Sequence, residues 1–341
     1  MSAGPGPGSG AGDTPGRRGR RARKPRAGEE LMVPRATFDS YYGRPVIKEP
    51  VWRAPDVPGY LFLGGLAGAS SALAGFAQLS GNTELPRVAK VAAGAAIGLS
   101  AVALVHDLGR PARFLNMLRV FKPSSPMSVG SWLLAAYGPV AGAAAASSVT
   151  GLLPGAGTAA TAGAAALGPA IATYTAALLC DTAVPAWHEG HREMPYLFAG
   201  SAASAAGGLA LLAVRPDSAG PAVRFAAGGA AVELTAKRLL LRRLGPTGEP
   251  YHSGTAGRLL RAAEVLTAAG AAGAVLARRN RPVQALAGAA LLAGSALTRF
   301  GVFEAGLASA RDPKYTVDPQ RARLRDRSAP PPAAQPAPAA P

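Results

Sequence analysis

Cysteine is almost missing: Cys180 is the only one in 341 residues. That excludes an internal disulfide and any cluster held by this chain's cysteines alone. Histidine is nearly as scarce, with His106, His188, His191 and His252. All four lie at or beyond the ends of apolar runs, which speaks against a haem held between helices by two histidines. No zinc or iron-sulfur spacing occurs, so no metal is assigned to this chain. Charge is sparse as well: 16% of residues are Asp, Glu, Lys or Arg, where an ordinary soluble domain has roughly 25%. Acidic residues are the fewer, 19 against 36 Lys and Arg, for a net charge of +17. Alternating apolar and polar residues of the kind a β-barrel needs do not appear.

Long apolar runs fill the space these absences leave. Windows of about 20 residues without charge recur, and about 20 apolar residues in a helix cross a hydrocarbon core of roughly 30 Å. Backbone in lipid must satisfy its own hydrogen bonds, so the runs are helices. Eight are expected, at about 57–79, 86–106, 129–150, 158–183, 195–214, 222–243, 257–277 and 284–309. The chain reads as an all-α integral membrane protein, a bundle of eight transmembrane helices with a disordered basic N-terminal tail. Its parts are the tail (1–35), an interfacial segment (36–56), the transmembrane domain (57–310) and a cytoplasmic C-terminal tail, Pro/Ala-rich at its end (311–341).

The tail carries "GRRGRRARKPR". With no folded reader motif beside it, this run does not indicate nucleic acid; a Gly/Pro/Ser/Arg segment that cannot bury a core is attracted to anionic headgroups. A twin-arginine export signal is disfavoured, because no apolar stretch follows for about 30 residues.

Gly and Ala dominate the spans where a soluble core uses Leu, Ile and Phe. Gly64 with Gly68, Gly94 with Gly98, and Gly138 with Gly142 stand in the small-xxx-small spacing that lets helices approach closely in lipid. Assigned to the two sides of an eight-helix chain, 29 of the 36 Lys and Arg fall on the side of both termini and 7 on the other. The positive-inside tendency then makes both termini cytoplasmic, in a multi-pass protein of the cell membrane. That side also has the long connections, including "LVHDLGRPARFLNMLRVFKPSSPMSVGSW" and "CDTAVPAWHEGHREMPYLF", while the other has mostly short turns. Apolar residues at Phe114, Leu115, Met117, Leu118, Val120 and Phe121 stand among the basic ones of the first stretch, an amphipathic pattern that lies on a membrane or under a partner. The basic side thus resembles a docking platform.

Ionisable residues within spans are costly and point to function. Glu233 lies near the middle of the sixth run, Lys237 one turn later is placed to neutralise it, and Glu264 of the seventh run faces the same way. His106 with Asp107, and Asp181 with His188 and Glu189, close the second and fourth runs on the platform side. Such groups exchange protons with a ligand at the membrane boundary.

Five stretches in this order, "SYYGRPVIKEPVW" before "PGYLFLGGLAGASSALA", "DLGRPARFLNMLRVFKPSSPMSVGSW", "YTAALLCDTAVPAW" and "FEAGLASARDPKYTVDPQRAR", resemble the NrfD-like, polysulfide reductase membrane subunit family, from about Tyr41 to Arg323. The resemblance implies a haem-free anchor that binds membrane quinone, menaquinone or ubiquinone, and docks a ferredoxin-type iron-sulfur subunit. A molybdopterin catalytic subunit, formate dehydrogenase-like or polysulfide reductase-like, completes the complex. It also implies that Tyr60, His106, Asp107, Arg110, Tyr174, Asp181 and His188 serve the quinone and its protons. Arg113, Arg119, Lys122 and Trp187 would meet the iron-sulfur partner. A small-solute or ion transporter built on Glu233 and Lys237 is the alternative from another class. Such transporters carry paired broken helices, and only the fourth run, at Gly168 and Pro169, reads as interrupted. A tether without quinone chemistry is the third reading.

Overall fold

In a computed structural model, residues 46–50, 52–108, 116–276 and 279–328 are described. The basic tail, Tyr41, Arg110 and Arg113 lie outside them. Nine helices of fifteen or more residues are present among the described residues: α1 (Asp56–Leu79), α2 (Glu84–Leu108), α3 (Pro126–Thr150), α4 (Pro154–Cys180), α5 (Met194–Ala213), α6 (Gly220–Leu244), α7 (Gly254–Leu276), α8 (Arg281–Arg311) and α9 (Lys314–Ser328). No strand occurs among these residues. Seven helices, α1 to α5, α7 and α8, are long and apolar enough to cross a membrane. This makes the chain a multi-pass helical membrane protein. Helix α6 occupies the expected sixth run but carries Arg224, Glu233, Lys237, Arg238, Arg242 and Arg243.

The helix ends follow from local chemistry. Ser125 caps α3 by accepting from the Ser128 amide at 3.4 Å, and Asn280 caps α8 by accepting from Val283 at 3.4 Å. Gly151, at φ 73°, closes α3 in the left-handed region that a side chain would resist, its amide bonded to the Ser147 carbonyl. At the C-terminus of α5, Arg281 from α8 donates to the carbonyls of Leu211 and Val214 at 2.7 and 3.0 Å, and Gln284 donates to the same two. These cations and donors satisfy carbonyls that a helix end leaves orphaned.

Helices α1 to α4 pack on one another, as do α5 to α8, and the two groups meet mainly where α1 and α4 touch α5. Helices α1 and α5 are the most buried, whereas α2 and α7 present most of their surface outward. Small residues set the closest crossings. A Cβ on Gly68 would strike the Gly168 carbonyl of α4, and one on Gly208 would lie 2.8 Å from the Gly288 carbonyl of α8. Of the three expected glycine pairs, Gly68 and Gly94 serve such crossings, and Gly64 makes ordinary contact with Ser100. Gly98, Gly138 and Gly142 face open space. Helix α4 runs unbroken through Gly168 and Pro169, which corrects the expected interruption; Gly168 is there for its approach to α1.

Candidate functional site

The platform end of α1 and α2 gathers the largest group of polar side chains named from the sequence. Tyr60, one turn into α1, is buried, and its carbonyl accepts from Ser100 Oγ of α2 at 3.2 Å. Tyr174 of α4 and Asp107 of α2 are its electrostatic neighbours. The Tyr174 ring lies against Gly130 of α3, where a Cβ would meet it at 2.5 Å. Asp107 in turn feels the charges of Asp56, His106 and Arg53. His106 Nδ1 is 3.1 Å from Asp56 Oδ2, and the imidazole is 76% exposed. A buried phenol, a half-buried carboxyl and an exposed imidazole thus follow one another from the interior outward.

The group has a neighbouring cavity of about 490 Å³, lined by Glu49, Trp52, Arg53, Glu304, Leu307 and Arg311 among others. Arg53 belongs to both, because it borders the cavity and acts on Asp107. The segment before α1 is tied down across this end: Glu49 Oε1 is 2.6 Å from Arg311 Nη2, and Trp52 stacks on Trp187 at 5.6 Å between ring centroids. Beyond α8, Lys314 binds Glu249 at 2.8 Å, and this bond holds its ammonium above the ordinary lysine range. Glu193, ahead of α5, accepts from Arg243 Nε and Nη2 at 2.6 Å each, which holds its carboxyl below the usual range.

Other expected residues stand apart. Asp181 is exposed at the end of α4 and His188 is exposed in the one-turn helix Pro185–His188 that follows, its Nδ1 3.1 Å from the Cys180 carbonyl. No hydrogen bond among the described residues joins either to the Tyr60 group. Arg119 and Lys122 are exposed, as a docking role requires. Trp187 is not: it is 0% exposed in the one-turn helix Pro185–His188, and its Nε1 donates to the Val302 carbonyl at 2.8 Å. Buried beside Trp52 and Phe303, it is a core residue, which corrects its placement on a docking surface.

The pairing expected in the sixth run also changes. Lys237 Nζ donates to Glu264 Oε2 at 2.8 Å and to the Leu260 carbonyl at 2.7 Å. Glu233 instead accepts from Ser204 and Thr298 and faces Arg299. Arg299 was missed in the sequence, although a lone arginine in the apolar run of α8 is the signal for it. No group of three or more metal-binding side chains exists among the described residues.

Comparison with known proteins agrees with the class that the helices define. The family model described as polysulphide reductase, NrfD matches residues 47–151, so the resemblance to the NrfD family is shown over that segment. No curated protein matches the chain. The matched segment runs from before α1 to the end of α3 and contains Tyr60, His106, Asp107, Arg119 and Lys122. Tyr174, Asp181 and His188 lie beyond it.

Proposed function

We propose that this protein is the membrane-anchor, quinone-interacting subunit of a molybdopterin and iron-sulfur oxidoreductase complex. It exchanges electrons between a docked iron-sulfur subunit and membrane quinone, in the plasma membrane, with eight spans and cytoplasmic termini. The observation that carries this reading is the Tyr60 and Asp107 group with the exposed His106 and half-buried Asp56, all within the segment that matches the family, joined by Tyr174 from α4 beyond that segment.

The chemistry of the donors fits the substrate. A quinone that takes two electrons must take two protons, and the rate depends on donors placed at its carbonyl oxygens. The Tyr60 hydroxyl supplies a hydrogen bond inside the bundle. Asp107 holds or yields a proton behind it, and His106, in contact with water and oriented by Asp56, exchanges that proton with the medium. The segment at 116–122, with Arg119, Val120, Phe121 and Lys122 exposed, offers a mixed basic and apolar surface against the start of α3. That surface suits an acidic partner whose electron carrier must come close to the ring.

Two facts support eight spans. Helix α6 has 25 residues, or about 37 Å at 1.5 Å per residue. Three of its charges are internally engaged: Glu233 by hydroxyls, Lys237 by Glu264, and Arg243 by Glu193. Engagement of this kind is how charged side chains are kept in a membrane bundle. A transporter built on a Glu233–Lys237 pair loses its basis, since Lys237 is committed elsewhere.

The test is turnover of the purified complex with two electron partners. Asp107→Asn and His106→Ala are expected to abolish quinone-coupled turnover and to leave activity with a soluble dye intact. Normal quinone turnover in both variants would overturn the assignment.

A further inference from the structure

Helices α5 and α6 pack side by side, and toward their platform end they leave an apolar groove on the outside of the bundle. Its volume is about 450 Å³, and its walls include Glu193 and Tyr196 on one side and Val232, Thr235, Ala236 and Leu239 on the other. That volume falls within the roughly 300–1,000 Å³ of clefts that hold a ligand. Val232, Thr235 and Leu239 follow one another at three and four residues, so they share a face of α6, and all three are exposed. From Leu239 back to Ala231 the groove extends about 12 Å along α6, at 1.5 Å per residue. Tyr196, near the start of α5, is 66% exposed, and its hydroxyl has no hydrogen-bond partner among the described residues.

The charges at the platform end of this groove separate it from an ordinary lipid-facing surface. Arg192 directly precedes Glu193, and Arg242 follows Leu239 by one turn of α6. Both arginines are exposed, and neither makes a hydrogen bond or salt bridge among the described residues. Glu193 is the one acid in the lining, and it is already neutralised: Arg243 donates to both of its carboxylate oxygens at 2.6 Å, and to the Glu189 carbonyl. The charge of Glu189 also acts on Arg243. Three arginines against two carboxylates leave the mouth of the groove positive. Guanidinium groups bind phosphate oxygens through paired N–H donors, and basic sites between spans take up anionic headgroups.

We propose that the α5 and α6 groove is a binding site for one anionic phospholipid. An acyl chain lies along Val232, Thr235 and Leu239 beside the Tyr196 ring, and Arg192 and Arg242 hold the phosphate. A headgroup with its own cation gains less from a positive mouth, which gives the site its selectivity. The lipid bridges α5 to α6, and α6 alone among α1 to α8 falls short of the apolar character of a span. The site lies apart from Tyr60 of α1 and Tyr174 of α4, so it does not require the quinone reading. It does rest on α6 lying in the bilayer, as the eight-span reading has it.

Native mass spectrometry of the full chain, stripped of lipid in mild detergent and titrated with phosphatidylglycerol or phosphatidylcholine, tests the site by counting lipids retained. One phosphatidylglycerol should be held about tenfold more tightly than phosphatidylcholine. Replacing both arginines, Arg192→Gln with Arg242→Gln, should bring the two lipids level, whereas Arg192→Lys with Arg242→Lys keeps the charge and should keep the preference. Thr235→Trp, at an exposed position, should fill the groove and expel the lipid with the arginines intact. Equal retention of the two lipids by the wild-type chain would overturn the proposal. So would a preference that survives both the glutamine pair and Thr235→Trp. The placement of α6 is read separately, from Val232→Cys in nanodiscs treated with a water-soluble maleimide; the native Cys180 is buried. Protection is expected there, and rapid labelling would end the eight-span reading and this site with it.

Discussion

Trp187 separates a core role from a docking role, and the two have different energetic signatures. Its indole is fully buried between Trp52, at 5.6 Å, and Phe303, at 5.8 Å, and its N–H satisfies the Val302 carbonyl at 2.8 Å. The fit extends to α8, where a Cβ on Gly306 would fall within the indole ring itself. Trp187→Ala leaves a cavity and an orphaned carbonyl, a loss of about 3–5 kcal/mol for a buried tryptophan. Three kcal/mol is already about 150-fold in the folding equilibrium. Trp187→Phe keeps most of the ring and forfeits the hydrogen bond, at about 1 kcal/mol. Denaturant unfolding of the chain in mild detergent, followed by far-UV circular dichroism, should rank them wild type, Phe, Ala, with Gly306→Leu as damaging as the alanine. An alanine variant as stable as wild type, with only partner binding impaired, would refute the reasoning and return Trp187 to the docking surface.

Other consequences are local. Arg243 lowers the Glu193 carboxyl, so this contact stabilises the fold above the ordinary carboxylate range and ceases to do so as pH falls through the lower folded value. Arg243→Gln should therefore lose stability at neutral pH and show a flatter acid limb in thermal melts; a parallel limb would contradict this. Gly68→Leu should cost several-fold in folded yield by wedging α1 from α4, whereas Gly138→Leu, facing open space, should not; equal losses would deny the crossing. Charge reversal at Arg119 and Lys122 should weaken iron-sulfur subunit binding in a salt-dependent way, measured by co-purification at rising ionic strength. Unchanged binding at low salt would remove that surface from the interface.

The helices were legible because hydropathy alone marks a span, and each expected run coincides with a helix to within about four residues at its ends. Small-xxx-small spacing was less informative. It identifies which residues permit close approach but not which face meets a neighbour, so Gly68 and Gly94 are used while Gly98, Gly138 and Gly142 are open. The Glu233 and Lys237 spacing suggested a pair, yet one turn of separation cannot exclude a better partner from another helix, and Glu264 is that partner. Trp187 read as an aromatic of the platform side, and only the one-turn helix after Val184 turns it into the core. The grouping of Tyr60, Asp107 and Tyr174 came from the family resemblance, because no linear spacing relates α1, α2 and α4. Arg299 was visible as a charge in an apolar run. Its lack of a carboxylate partner was not, since that depends on the rotation of α8 against α5 and α6.

The most direct test of the central claim is equilibrium binding of a short-tailed quinone analogue to the purified chain in lipid nanodiscs. Wild type and Tyr60→Phe would be compared, with Tyr174→Phe alongside. Saturable binding at one site, weakened about tenfold by loss of the Tyr60 hydroxyl, is the outcome expected. Absence of saturable binding to a folded chain, or binding indifferent to both tyrosines, would contradict a quinone site at the platform end of α1 and leave the protein as a tether.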